Sequence, residues 1–476
     1  MRLIHLDQMR GYEDFRTLIL DESWSWDLAA RFVASTADAI RPFDSDPGAA
    51  AVLSVLVRIL GSQPELILAA LAVTGALAAV VIQLLGIRVL GGAAGFACGL
   101  IAAGYRPAIH HGGHLLDAAF LPILAALALL LASVLISARK PLPEVLLGIA
   151  AGSTTAFLAL FQAPLILLAP VLLVILIFDR KMKPARQIRR GASFTVGVLV
   201  MLAGISCIQT PNAGPRLLLP PIIGREFNLA NRDGNRAGLR LPPPWAPSDP
   251  AGLAEAYRTE GARQVGAANV GALAVDQAWF DMSGREAAEN PWGFLHGWAW
   301  RAFRLINAGE TPGPLDLAFE TGRSWILRLP FPGWAILFPL AVVGGLATRR
   351  DTKRPAMGLS TGWFLIVLLA ASPFAISSRV RMAAEPALIL LAVSGAMSIA
   401  SMLRKRDGRA LAAAALTIGI LGVAIRLPAG GPGAAPFHRI LSDAYAGRGA
   451  ADAAEEHRLE AARLSARAMS RLGQPR

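Results

Sequence analysis

Ten apolar runs dominate the chain: 64–85, 87–104, 115–137, 143–160, 162–179, 191–208, 332–348, 356–377, 383–403 and 410–426. Each is roughly 17–23 residues, long enough for a helix to cross a bilayer with some tilt. The charges within them (Glu65, Arg88, Asp117, Glu144, Asp179, Glu385 and Arg426) sit near the ends of the runs. A charge there avoids the penalty of about 2.5–3.5 kcal/mol paid at a helix centre. Gly and Ala are frequent in 91–104 and 143–152, and small residues let helix backbones approach where lipid offers no hydrophobic drive. The chain is 54% apolar and 17% charged, with mean hydropathy +0.49. A soluble domain is about 25% charged, so an ordinary soluble protein and a disordered one are both excluded. The expected fold class is an all-α polytopic membrane protein, with about ten visible transmembrane helices and a large extracytoplasmic loop.

Two cysteines, Cys98 and Cys207, exclude a disulfide scaffold, a Cys-rich zinc site and an iron–sulfur centre. The net charge of +13 suggests nucleic acid only until its placement is read. The lysines (Lys140, Lys181, Lys183, Lys353 and Lys405) all lie in short gaps between apolar runs, where positive charge is a topology signal. The gaps alternate. One set holds Arg88, Arg139 with Lys140, and the basic stretches 180–190, 349–354 and 404–409. The opposite short gaps hold Arg106, nothing at 161, and Arg379 with Arg381. By the positive-inside rule the first set is cytoplasmic.

The domain reading follows. Residues 1–63 form an extracytoplasmic first loop with interfacial helices, 64–208 and 332–426 are membrane helices, 209–331 is a large extracytoplasmic loop, and 427–476 is an extracytoplasmic tail. Nothing in 1–47 is a signal peptide or a span, so either the N-terminus is exported unaided or a first span upstream of Met1 has been lost, and the second is the expectation. The run GAAAVLSVLVRIL (48–60) is too short to cross and reads as interfacial. The aromatic, arginine-containing 290–307 suits either a helix at the outer surface or ordinary packing. The 209–331 loop carries the turn signals PNAGP, LPPPW and TPGP, and it is expected to roof a site. In the tail, 450–472 reads as an amphipathic helix with a solvated outer face, through Ala454, Leu459, Ala462, Leu464 and Leu472.

No phosphate-binding glycine loop and no Ser-centred nucleophile elbow is present. His110, His111 and His114 form an HHGGH cluster near the outer end of a span. It suits either a metal or histidines contacting lipid or substrate, since the spacing matches no standard zinc signature. Asp21 and Glu22 lie in DESWSWDLAA, beside Trp24 and Trp26. An apolar aromatic setting can raise a carboxylate pKa and suit a general base. The same residues also read as an acidic cap leading a helix over 23–37.

The order of these segments resembles bacterial membrane glycosyltransferases of the GT-C superfamily, related to dolichyl-phosphate-mannose protein mannosyltransferases and lipid A aminoarabinose transferases. It runs from the acidic aromatic motif through PGAAAVLSVLVRILG, LLGIRVLGG, AAGYRPAIHHGGHLLDAAF, FNLANRDGNRAG and NPWGFLHGWAWRAFRLINAGETPG to ISSRVRMAAEPALILLAVSGA. The likeness covers about residues 12–426. It implies an inner-membrane, multi-pass enzyme with its active site on the extracytoplasmic side, moving a sugar from a polyprenyl-phosphate donor to a lipid, glycan or protein acceptor. No nucleic-acid partner and no firm cofactor are implied, and a divalent metal is compatible with it. The sugar class, hexosyl or pentosyl, stays open.

Residue by residue, the resemblance favours Glu22 as the catalytic acid of the first outer loop, with Asp21 as runner-up. Asp117 is similar to the acid that opens the fourth family span. Arg379 and Arg381 match an Arg-aromatic-Arg element, with Val380 replacing the aromatic. With Arg106 they are the expected donor-phosphate contacts. Asn231 and Gly238 match a Gly-Asn…Ala-x-Gly stretch, although Ala230 replaces its glycine and Glu226 an asparagine. Asn307 and Glu310 match Asn-x-x-Glu. Together with His110 and His111, Asn231, Asn307 and Glu310 are the expected substrate-loop contacts. The alternatives are a transporter or flippase for a lipid-linked substrate, which calls for midplane polar groups or repeats, and a non-catalytic truncated homologue.

Overall fold

A computed structural model describes residues 1–34, 47–177, 183–208, 222–232, 235, 238–266, 270–311, 316–348, 355–428 and 434–472. Among these, regular structure is helical apart from one isolated parallel bridge between Leu239 and Ile376. The PNAGP run, residues 312–314 of TPGP and the basic run 349–354 lie outside the described residues.

Helices occupy all ten apolar runs: Pro64–Leu90, Gly92–Gly104, Leu121–Ser137, Pro141–Ala159, Leu168–Ile177, Pro184–Ile208, Trp334–Thr348, Pro355–Ala371, Arg381–Lys405 and Gly408–Ala424. Three stretches, Pro64–Leu90, Pro141–Ala159 and Ser378–Lys405, are long and apolar enough to cross a membrane, and shorter apolar helices accompany them. The architecture is an all-α bundle consistent with a polytopic membrane protein. Proline opens several of these helices, where its missing N–H is not needed.

Two boundaries differ from the sequence reading. The break between the first two runs falls at Gly91 rather than near residue 86, because Gly91 takes φ 102°, a left-handed value that side chains resist. The run 115–137 is not one helix. Its first residues form a short 3-10 turn, Asp117–Ala119, and the long helix starts at Leu121 with Pro122 in its first turn. Asp117 therefore sits on a turn ahead of the helix.

The Arg381–Lys405 helix is the axis of the bundle, with every residue from Arg381 to Gly395 buried. It meets Trp334–Thr348 at Gly344 and Gly395. A Cβ on Gly344 would lie 2.0 Å from the Leu391 carbonyl oxygen, and one on Gly395 2.0 Å from that of Leu340. Two glycines facing each other's helix allow backbone-to-backbone contact in a bundle that lipid does not squeeze together.

Charge marks the two ends. At one end, Glu144 accepts from Arg186 at 2.8 Å and from Arg190 at 2.5 Å, with Arg189 as a third partner. The Pro141–Ala159 helix then carries the chain about 28 Å at 1.5 Å per residue to Leu160 and Gln162 at the other end. The loop elements gather there. Leu20–Val33 packs on Pro47–Leu60, and Ile223–Asn231, Pro250–Val265 and Ala272–Glu289 share a small core of Leu229, Tyr257, Val275 and Trp279.

The C-terminal segment docks on this end. Ala435–Gly447 and Ala451–Leu472 pair, and Leu441, Tyr445, Ala450, Ala453 and Ala454 bury against Ile19. The Ala453 N–H donates to Glu13 at 3.1 Å, and Arg448 donates to the Ser23 hydroxyl at 2.9 Å. The buried stripe runs through Ala453, Ala454, His457 and Ala461, whereas Leu459 and Ala462 are exposed. The amphipathic face thus lies about one residue off the one read from sequence, because a ring, His457, takes a place the apolar pattern had left polar.

Candidate active site

The acidic motif enters the site through a strained step. Ile19 is extended, Leu20 takes φ 46°, and the Leu20–Val33 helix begins at once with Asp21 and Glu22 in its first turn. Carboxylates suit the positive end of a helix. Successive residues on a helix point about 100° apart, which sends the two acids to different hydrogen-bond partners.

Asp21 faces a cleft open to solvent and walled by Leu28, Ala49, Ala50, Ile222, Phe374 and Phe437. Its Oδ2 accepts from Arg379 Nη2 at 2.6 Å and lies 3.7 Å from Arg240 Nη1. Arg379 Nη1 is 3.9 Å from Asp117 Oδ1. Gln162 donates to the other Asp117 oxygen, while Oδ1 is buried with no hydrogen-bond donor among the described residues. On the opposite wall, Glu226 accepts from Arg225 at 3.0 Å and Arg240 at 3.3 Å. The cleft therefore carries three acids and three guanidiniums at the loop end of an apolar bundle.

Burial by itself would raise the Asp21 pKa, but Arg379 first and Arg240 second outweigh it and hold the carboxyl below its ordinary value. Glu226 behaves alike: burial raises it, and Arg240 and Arg225 bring it lower. The raised basicity expected of the acidic motif is reversed at Asp21, because arginines distant in sequence close on it.

Glu22 turns the other way. Its Oε1 accepts from the Leu115 N–H at 3.0 Å and from His114 Nδ1 at 3.1 Å. It lines a smaller neighbouring cavity with His114, Glu320 and Arg379, which Asp21 also reaches.

No protein family and no curated protein matches this chain. Solved structures are similar in shape. The oligosaccharyltransferase AglB of Archaeoglobus fulgidus, in complex with an inhibitory peptide and a dolichol-phosphate, is 15% identical with TM-score 0.44, covering 89% of this chain and 54% of that one. Its apo form gives 15% identity and TM-score 0.46, with 93% and 56% covered. ArnT of Cupriavidus metallidurans, bound to undecaprenyl phosphate, is 13% identical with TM-score 0.38, covering 84% of this chain and 77% of that one. The chain spans about half the length of the oligosaccharyltransferase.

The other expected contacts lie away from the cleft. Arg381 is fully buried behind Arg379, where it donates to the carbonyls of Arg304 at 2.5 Å and Gly309 at 3.1 Å and lies over the Trp334 ring. Glu310 is 3.7 Å from it. Arg106 donates to the Leu327 carbonyl at 3.5 Å, outside both cavities. Asn231 donates to the Phe227 and Pro373 carbonyls and accepts from Arg301 at 2.7 Å. Gly238, at φ 63°, passes so close to Arg301 that a Cβ would lie 2.1 Å from it. Asn231 and Gly238 thus both pack against the buried Arg301 side chain. Asn307 donates to the Leu427 carbonyl at 2.9 Å and accepts from the Gly309 N–H, tying the end of Pro291–Ile306 to the last apolar helix. His110 and His111 are buried behind Glu22, and His110 Nδ1 is 2.7 Å from Glu320.

Sequence reasoning missed Gln162, Arg225, Arg240 and Glu320. Gln162 left one signal: it is the lone amide of the apolar run 162–179, at its first position. Arg225 and Glu320 lie on short helices and Arg240 on irregular chain between the apolar runs, where no periodicity marks them, and they left none.

Proposed function

We propose that this chain is a membrane glycosyltransferase that moves a sugar from a polyprenyl-phosphate donor to a hydroxyl-bearing acceptor within the Asp21–Asp117 cleft. The observation that carries the reading is the pair of carboxylates held on one guanidinium, Arg379, at the polar end of an apolar cleft. A donor with a charged head and a greasy tail needs both surfaces. In this reading the ten apolar helices span the inner membrane, and 1–63, 209–331 and 427–476 lie outside the cytoplasm. The basic runs at the opposite loops support that orientation.

The chemistry is a displacement at the anomeric carbon. The acceptor O–H gives its proton to a carboxylate, its oxygen bonds the anomeric carbon, and the bond to the phosphate oxygen breaks with its electron pair. Asp117 is the better base, because its Oδ1 has no donor bound, whereas Asp21 is tied to Arg379 and its pKa is lowered. Asp21 then orients Arg379. Arg379 and Arg240 are placed to meet the phosphate charge, since a planar fork can donate two parallel hydrogen bonds to a phosphate. Glu22 supports the motif from behind.

The test is transfer of labelled sugar from a polyprenyl-phosphate donor by the purified chain in liposomes. Turnover lost in Asp117→Asn with donor binding retained supports the reading. Binding and export of the lipid without any sugar transfer would replace it with a transporter.

A further inference from the structure

Behind Glu22 lies a second polar cluster that the displacement chemistry does not use. His5 comes from the Arg2–Met9 helix, His110 from Arg106–His111, His114 from the loop after Gly112 and Gly113, and Glu320 from Leu317–Thr321. Their side chains are buried, between 0% and 6% exposed by residue. Three imidazole nitrogens meet the carboxylate of Glu320: His110 Nδ1 at 2.7 Å, His114 Nε2 at 2.8 Å and His5 Nε2 at 3.7 Å. One ligand atom each from His110, His114 and Glu320 falls within 4.8 Å of the others.

The outer hydrogen bonds select the ligand nitrogens. Ser324 donates its single hydroxyl hydrogen to Gln8 Oε1 at 2.7 Å, so at 3.0 Å it accepts the Nδ1–H of His5. The lone pair of His5 Nε2 is then buried with no hydrogen-bond donor among the described residues, and it faces the Glu320 carboxylate. Two acceptors facing each other in a dry site call for a cation between them. His114 keeps its Nδ1 on the Glu22 carboxylate, the outer carboxylate–histidine bond that metal-bound imidazoles make. Gly113 admits the fourth group, since a Cβ there would lie 3.2 Å from His5 Nε2.

We propose that His5, His110, His114 and Glu320 form a structural site for a divalent transition metal, zinc by its three nitrogens and one oxygen. Such a set is a closed four-coordinate zinc site, with metal–ligand distances of about 2.0–2.2 Å. Zinc replaces the protons now held between the histidines and Glu320, so binding releases them. The metal ties the N-terminal helix and Leu317–Thr321 to the 106–120 loop. Through Glu22 it also holds the helix turn that presents Asp21. His111, part of the HHGGH motif, takes no part, and His5 and Glu320 replace it.

The full chain, purified in detergent and dialysed against a weak chelator, should retain about one zinc per chain by elemental analysis. A strong chelator should lower Tm, added Zn²⁺ should restore it, and Co²⁺ in its place should give the visible absorption of a tetrahedral centre. Glu320→Gln and His5→Gln, which nearly keep shape, should each lose the metal. Asp117→Asn should keep it, and this metal count is read without any turnover. No retained zinc together with no Tm response to Zn²⁺ overturns the proposal. Retention in the Glu320→Gln/His5→Gln double variant, or loss in Asp117→Asn alone, also overturns it.

Discussion

Arg379 and Asp21, 358 residues apart in the chain, meet at 2.6 Å, and the same guanidinium lies 3.9 Å from Asp117. The turn ahead of the central helix is thereby locked to the helix of the acidic motif and to the Asp117–Ala119 turn. Arg379→Ala should lower sugar transfer roughly 10²-fold or more, the size of effect seen when one charge-stabilising donor is removed. Arg379→Lys keeps the charge but loses the two-pronged contact, and should recover only part. Turnover unchanged in both would remove Arg379 from the reaction.

Asp117→Asn should reduce turnover by about 10²-fold with donor affinity kept, as expected for a lost general base. Glu22→Gln should act on folding instead, lowering Tm while the folded fraction turns over nearly normally. If Glu22→Gln is inactive at full Tm and Asp117→Asn is active, the two roles exchange.

Asp21 and Glu226 both have folded pKa values below their unfolded ones, because arginines close on them more strongly than burial opposes. Groups of this kind contribute stability above their unfolded pKa of about 4, and the contribution is lost as pH falls through the folded value. Tm measured from pH 6 downward should therefore fall more steeply below about pH 4 in the wild type than in Arg240→Ala. Parallel curves would show that Arg240 does not hold these acids.

Gly395→Ala places a Cβ 2.0 Å from the Leu340 carbonyl oxygen. Overpacking of this kind should destabilise by about 1–3 kcal/mol, read as a lower Tm in detergent. Gly419→Ala, with nothing within 4 Å, is the control and should be neutral or slightly stabilising. Equal shifts in both would mean that the close helix crossing is not what Gly395 serves.

The Ala453 N–H bond to Glu13 requires the tail and the N-terminal segment to share one side of the membrane. Alkaline phosphatase fused after Arg476 should be active, and a fluorescent protein fused there dark. The opposite pattern reverses the orientation.

The ten helices could be read from the chain because an apolar run of spanning length, with charges only at its ends, leaves few other structures open. The alternation of basic and non-basic loops was likewise visible in the chain, and the orientation read from it is what the fusion experiment tests. The acidic motif, Asp117 and Arg379 were also visible as residues. Tertiary structure decided which of them meet. The 100° step between neighbouring helix positions sends Asp21 into the cleft and Glu22 behind it, and the start of the central helix puts Arg379 on the cleft wall and Arg381 inside the bundle. Arg240, Gln162, His5 and Glu320 could not be placed from sequence, because short helices and irregular chain outside the apolar runs carry no usable period and their partners lie scores to hundreds of positions away. The local chain sets what is apolar enough to be a helix; the docking of distant loops sets which charges share a space, and so which of them can do chemistry.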